Sequence, residues 1–200
     1  MIAIIDYNVG NLFSVKNALD FIGEPSIITR DISDIQKADS LILPGVGAFP
    51  HAMQQLAKTG LIEAIKAETM KKPLLGICLG MQLLFDKSYE FEECEGLGLI
   101  DGEIKKIEAG TLKIPHMGWN SLKYQNACSL LSGIDEGGFV YFVHSYMAIT
   151  KDTNISAYTE YGAKIPALVH KNNVYGAQFH PEKSSDIGLA LLRNFGGLTK

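Results

Sequence analysis

The sequence predicts an α/β protein: one domain over residues 1–200, with a central mostly parallel or mixed sheet flanked by helices and a β-rich second half. Three observations carry this. Short apolar runs alternate with amphipathic helical stretches through the first 86 residues, the pattern of a parallel sheet. Beyond Gly96 the chain breaks into short strand-like runs between turn residues, which predicts strands added to that sheet or folded back along it. No repeat, low-complexity tract or Pro/Gly/Ser-rich linker divides the whole.

The run "IAIIDY" (2–7) is apolar as a strand buried on both faces is. In "NLFSVKNALDFIG" (11–23), Leu12, Val15, Leu19 and Ile22 share one helical face, and Gly23 suits the position past a helix end. Strands follow at "PSIIT" (25–29) and "SLILPG" (40–45). Residues 51–70 have helical periodicity interrupted at Gly60. "PLLGI" (73–77) is a fourth strand, "LGMQLLF" (79–85) a helix, and the polar run "DKSYEFEECEG" (86–96) a loop. Strands are then expected in "GLGLI" (96–100), "GEIKKIE" (102–108), "GWNSLKY" (118–124), "GFVYFVHSYMAI" (138–149), "ISAYTEYG" (155–162), "PALVHK" (166–171) and "NVYGAQF" (173–179). "SSDIGLALLRNF" (184–195) is a closing helix.

Composition narrows the function. Hydrophobic residues make up 46% of the 200 and charged residues 20%, a globular balance in a chain long enough to bury a core without staples. Net charge is −4 and the basic residues are scattered, so nucleic-acid binding is not expected as the main function. The start lacks a basic n-region and meets Asp6 early, unlike a secretory signal. No apolar run approaches the ~20 residues of a membrane span, so a soluble, cytoplasmic protein is expected. The three cysteines, Cys78, Cys94 and Cys128, are too few and too irregularly spaced for a disulfide framework or a CxxC site, and an odd count fits a reducing compartment. No His/Cys/Asp/Glu cluster has ligand spacing, so neither a metal nor a cofactor is expected.

The corner "GICLG" (76–80) between the fourth strand and its helix is where chemistry enters. A strand–G-x-C-x-G–helix corner has the build of a nucleophile elbow, with glycines leaving room for a sharp turn and for substrate. The N–H groups of Leu79 and Gly80 open the helix without intrahelical partners, where they can receive an oxyanion, and the positive helix end favours a thiolate. By itself Cys78 fits a small core side chain beside a tight turn equally well.

A thiol nucleophile needs a base, and the base an orienting group. Of five histidines only His180, in "FHPEKSS" (179–185), has a carboxylate fixed nearby. Pro181 favours an extended His180, which puts His180 and Glu182 on the same side; read alone, H-P-E also fits a solvated surface turn. Cys78 and His180 both follow strands, at the sheet edge where open α/β folds bind ligands. A second oxyanion donor is offered by "LPGVGAF" (43–49), where Gly45 and Gly47 flank Val46, although a short G-x-G is also an ordinary turn. His51, His116 and His170 are expected to be structural or solvated, and Cys94 and Cys128 inert.

"PGVGAF", "GICLGMQ" and "HPE" together resemble the triad, or class I, glutamine amidotransferases, whose fold is flavodoxin-like. "DYNVGNLFSV" (6–15), "IPHMGWN" (114–120) and "YFVHSY" (141–146) narrow the likeness to the branch of glutaminase subunits that serve a (β/α)8-barrel cyclase. The resemblance covers nearly the whole chain. It implies that Cys78 attacks the glutamine side-chain amide, His180 acts as base and acid, and Glu182 orients His180. It implies that N–H groups of Leu79 and the Gly45–Val46–Gly47 loop hold the oxyanion, and that Gln82 and the His144–Ser145–Tyr146 backbone hold the glutamine head group. By the same resemblance the ammonia is expected to pass to the cyclase partner in a heterodimer, where a ribulosyl phosphate intermediate of histidine biosynthesis would give imidazole glycerol phosphate and an aminoimidazole carboxamide ribotide. Asn11, Met117, Gly118, Trp119 and Asn120 are the implied partner interface; Trp119, the single tryptophan, is an anchor type, with core packing as its alternative. "RNFGGLTK" (193–200) departs from the family pattern, with glycines in place of a longer closing helix. Two other readings stand beside this one: a triad glutaminase or γ-glutamyl hydrolase serving another reaction, and a catalytically silent regulatory subunit. The intact Cys78, His180 and Glu182 argue against the last.

Overall fold

The computed structural model describes residues 1–199; Lys200, the end of the "RNFGGLTK" segment, lies outside the described residues. The first half alternates strands β1 (Ile2–Ile5), β2 (Ser26–Thr29), β3 (Ser40–Gly45) and β4 (Leu74–Cys78) with helices α1 (Leu12–Phe21), α2 (Ile32–Lys37), α3 (Phe49–Thr59), α4 (Ile62–Thr69) and α5 (Leu79–Gln82). The second half holds β5 (Phe85–Ser88), β6 (Cys94–Glu95), β7 (Ile100–Lys106), β8 (His116–Ser121), β9 (Lys123–Tyr124), β10 (Phe139–His144), β11 (Tyr146–Ile149), β12 (Ile155–Glu160), β13 (Lys164–Lys171), β14 (Val174–Ala177) and the closing helix α6 (Ser185–Gly197).

Eight strands form one mixed sheet in the order β2-β1-β3-β4-β14-β13-β12-β9. Pairs from β2 to β14 are parallel and those from β14 to β9 antiparallel. The apolar runs are continuous because each strand feeds two cores. Ala3, Ile5, Leu41, Leu43 and Leu74 pack with α2, α3 and α4 on one face. Ile2, Ile4, Ile42, Leu75 and Ile77 pack with α1 and α6 on the other. The single-domain α/β expectation is met, and the second half both extends this sheet and builds two smaller ones, β11-β7-β5-β6 and β10-β8.

Local differences have local causes. The expected helix over 79–85 ends after one turn at Gln82. The Leu83, Leu84 and Phe85 carbonyls accept instead from the N–H groups of residues 97–100, so Phe85 begins a strand. The polar run 86–96 therefore holds strand pairing between β5 and β6 rather than a plain loop, whereas 96–99 carries no strand. The stretch 138–149 divides at Ser145, sending β10 and β11 to different sheets. Helix α2 went unpredicted: it is short, buries only Ile35, and starts where the Asp31 side chain accepts from the Ser33 N–H at 2.7 Å. The closing helix runs on through the glycines, since Gly196 lies against Glu24, where a Cβ would meet its carboxylate at 2.6 Å.

Candidate active site

Cys78 ends β4 with φ 54° and ψ −112°, a backbone shape that side-chain-bearing residues avoid. Close packing holds it there. A Cβ on Gly80 would lie 1.8 Å from the Leu43 carbonyl oxygen, and one on Gly76 would lie 2.6 Å from the Gly80 oxygen. Only glycines let β3, β4 and α5 come together around the elbow. Gly45 pairs with Cys78 in the β3–β4 ladder, and the buried Tyr7 hydroxyl donates to the Pro44 carbonyl at 2.7 Å. Cys78 as a residue is 7% exposed. With α5 only one turn long, the helix dipole expected behind the cysteine is small.

β14 lies beside β4 in parallel register, Ala177 opposite Ile77, so His180 emerges at the same sheet edge as Cys78. Its position is fixed through the main chain. The His180 N–H donates to the Tyr141 carbonyl at 3.0 Å, and the Ser184 hydroxyl bonds the His180 carbonyl at 2.6 Å while accepting from the Tyr141 N–H at 3.0 Å. His180 Nδ1 donates to Glu182 Oε1 at 2.8 Å, with both side chains nearly fully buried. His180 itself is extended, but Glu182 sits inside the 3-10 turn Pro181–Lys183 rather than in an extended segment. The turn, not the period-two alternation, curls the carboxylate under the ring.

With Nδ1 bonded to a carboxylate, Nε2 is the nitrogen left to exchange a proton with the thiol, and it is buried without a partner. Cys78 Sγ rests 4.0 Å from both the Val143 carbonyl and Gln178 Nε2. The thiol and His180 interact closely enough to affect the ring's charge, yet no hydrogen bond of ordinary geometry joins Nε2 to Sγ in this state. Burial alone would depress the imidazolium; Cys78 and Glu182 outweigh it and raise the His180 pKa to about 9.

A cleft of about 340 Å³ opens over the thiol, at the small-ligand end of the usual range. Of the residues expected there, Val46, Gly47, Leu79, Gln82, His144, Ser145 and Tyr146 line it, together with Cys78 and His180. Gly45 stands behind it, buried at the end of β3. Gln82 Nε2 donates to the Tyr146 carbonyl at 3.1 Å and to Gln178 Oε1 at 2.9 Å, which spends both its hydrogens and leaves Oε1 as an acceptor. Glu90 was missed: its carboxylate accepts from the Phe49 N–H at 2.7 Å and lines the cleft, and burial pushes its pKa up. Nothing in the polar stretch around it marks it out. Gln178 was missed too, although a glutamine closing an apolar strand two residues before His180 was a usable signal.

Of the expected interface residues, Met117 and Trp119 project outward from β8, 66% and 52% exposed, with Phe139 and Tyr141 beside them on β10. Trp119 meets Tyr141 edge-on at 6.1 Å and is not a core residue. Gly118 and Asn120 lie between, half-buried, while Asn11 stands apart at the start of α1 and makes no side-chain cap. His116 and His144 are buried and bonded to each other. Among the described residues no group of three His, Cys, Asp or Glu could hold a metal ion, and no helix is long and apolar enough to cross a membrane.

A family model described as "Glutamine amidotransferase class-I" matches residues 3–196. Two proteins named "Imidazole glycerol phosphate synthase subunit HisH", from Bacillus thuringiensis (strain Al Hakam) and Bacillus cereus (strain AH187), are each 51% identical over 201 residues, covering 100% of this chain and 96% of theirs. A solved structure described as a glutamine amidotransferase superposes with a TM-score of 0.76 at 18% identity, over 98% of this chain and 100% of that one, a likeness of fold.

Proposed function

The chain belongs to the class-I glutamine amidotransferases, and on that premise we propose that it is the glutaminase subunit of an imidazole glycerol phosphate synthase, working in the cytoplasm beside a (β/α)8-barrel cyclase. The observation that carries the chemistry is the buried, unpartnered Nε2 of His180 beside the Cys78 thiol, with Nδ1 pinned by Glu182. The full-length likeness to named subunits supports the choice of synthase.

In the proposed cycle the Cys78 sulfur, its proton already held by His180 as imidazolium, attacks the side-chain carbonyl carbon of L-glutamine. N–H groups of Leu79 and the Val46–Gly47 loop receive the oxyanion. The tetrahedral species collapses, the C–N bond breaks, and the His180 imidazolium gives its proton to the departing ammonia. Water, activated by neutral His180, then cleaves the γ-glutamyl thioester to glutamate and restores the thiol. Glu182 holds the ring in the required tautomer and stabilises the imidazolium. Gln82 Oε1 and the Ser145–Tyr146 backbone hold the substrate head group, and the Glu90 carboxylate faces the cleft as the acceptor for its α-ammonium. A closed route to the cyclase keeps ammonia dry, because near neutral pH it is mostly ammonium and not nucleophilic. The Met117–Trp119 strip of β8, with Asn11, Gly118 and Asn120, forms part of the docking face.

Glutamine hydrolysis is measured with and without a barrel cyclase and its ribulosyl phosphate ligand. The expected result is negligible turnover alone and strong activation in the liganded complex. Cys78→Ala should abolish glutamine-dependent synthesis and spare synthesis from added ammonia. Full hydrolysis in isolation contradicts coupling to a partner, and loss of both activities makes Cys78 structural.

A further inference from the structure

A chain of hydrogen bonds runs from β8 into the glutamine cleft, and its direction is fixed by its ends. Asn120 is oriented by the main chain: its Oδ1 accepts from the Ser121 N–H at 2.9 Å and its Nδ2 donates to the Glu160 carbonyl at 3.1 Å. The same Nδ2 lies 3.3 Å from His116 Nε2, so that nitrogen is an acceptor and His116 carries its proton on Nδ1. His116 Nδ1 lies 3.0 Å from His144 Nε2, which is therefore the acceptor of that pair. His144 must then hold its proton on Nδ1, and there it meets the Tyr146 carbonyl at 2.8 Å, which can only accept. Reading from the other end gives the same answer, since the Tyr146 carbonyl forces His144 Nδ1 to donate. Every polar atom on both rings is matched, with one arrangement of protons.

The rings cannot easily reorient. His116 is stacked between Phe142 and Tyr161, at 4.7 and 4.2 Å between ring centres, and both histidines are buried. The terminal carbonyl also accepts from Gln82, whose other hydrogen goes to Gln178. From this the geometry points to Asn120, His116 and His144 as positioning residues: a one-way relay that sets the Tyr146 carbonyl and the Gln82 amide from the strand that carries Trp119 on its outer side. The inference rests on the glutaminase reading for its catalytic consequence only. Both imidazoles work as neutral groups, consistent with burial pushing His116 down to about 4 and His144 to about 3.

The test has two arms. In the full chain with 15N-labelled histidine, NMR at pH 7 should show His116 and His144 neutral and protonated on Nδ1, the tautomer that free imidazole disfavours. A proton on Nε2 alone, or a charged ring, overturns the relay without reference to any substrate. In the complex with the cyclase, His116→Phe keeps the stacked ring and removes the donor, whereas His116→Asn keeps a donor near the Nδ1 position and removes the ring. The relay predicts a glutamine KM raised about tenfold by His116→Phe, the value of one buried hydrogen bond, with kcat changed far less, and a KM within about threefold of wild type for His116→Asn. A packing role alone predicts the reverse order, and equal KM values overturn the inference. Should His116→Phe fail to fold, His116→Leu serves instead: it also keeps apolar bulk, removes the Nδ1 donor and should raise KM in the same direction. A wild-type complex without glutaminase activity would sink the functional reading, while the NMR arm would still decide the relay.

Discussion

Replacing Glu182 by Gln removes one charge and almost no volume. The amide oxygen can still accept from His180 Nδ1, so what is lost is the charge at the end of that 2.8 Å contact, on a carboxylate buried as deeply as the ring. A buried hydrogen bond to a charged group contributes about 1.5–3 kcal/mol and a neutral one about 0.5–1.5, a difference of about 1–2 kcal/mol. At about 1.4 kcal/mol per pH unit, the imidazolium should titrate about one pH unit lower in the variant. The sign follows from the native state. There the His180 pKa is raised to about 9 above its ordinary value of 6.5, so the ring keeps its proton through neutrality. The associated stabilisation is fully present below pH 6.5 and is lost as pH rises through 9. Because His180 must deliver a proton to ammonia, wild-type kcat/KM should fall on an alkaline limb near pH 9. In Glu182→Gln that limb should move toward neutrality, and kcat/KM at pH 8 should fall roughly 5- to 30-fold if the whole loss is felt in the transition state. The assay is glutamate release by the cyclase complex between pH 6 and 10, with ammonia-dependent synthesis as the check that the complex is intact. An unmoved limb, or a loss smaller than threefold, refutes the assignment of Glu182 to the ring.

Glu90→Gln can keep the Phe49 N–H bond while losing its charge, so glutamine KM should rise roughly tenfold with little change in kcat; an unchanged KM removes Glu90 from the substrate site. Trp119→Ala should weaken cyclase binding by about 2 kcal/mol, near thirtyfold in Kd by calorimetry, and leave Tm unmoved because the ring is half exposed; tight binding by the variant places the interface elsewhere. Gly80→Ala forces a methyl group into the Leu43 carbonyl and should cost about 3 kcal/mol in urea unfolding; a variant of native stability would mean the elbow packs less closely than described.

Much of the fold was legible because its parallel strands are buried on both sides. "IAII", "SLILPG" and "LLGIC" need no tertiary information to be read as strands. The elbow and the H-P-E tripeptide were legible because each compresses its chemistry into a few adjacent residues. What stayed hidden depends on distant segments. Helix α5 stops because residues 97–100 return to claim the carbonyls of Leu83, Leu84 and Phe85 just beyond it. Glu90 faces the cleft because its polar strand-and-turn segment folds back onto the start of α3. His116 and His144 are 28 residues apart and meet through the antiparallel pairing of β8 with β10, which no local period announces. The H-P-E geometry was misread in detail, since a 3-10 turn brings Glu182 to the ring.

β14 is hydrogen-bonded on one side to β4 and on the other to β13. A ribosome completes residue 78 some hundred positions before residue 180, so the nascent polypeptide carries its sulfur for a while without imidazole help. During that interval β4 has an open flank where its neighbour will later slot in, an invitation to mispairing. Insertion of that late strand thus closes the vulnerable flank and arms the sulfur in one event. Fragments truncated ahead of it should be both inert and prone to clump.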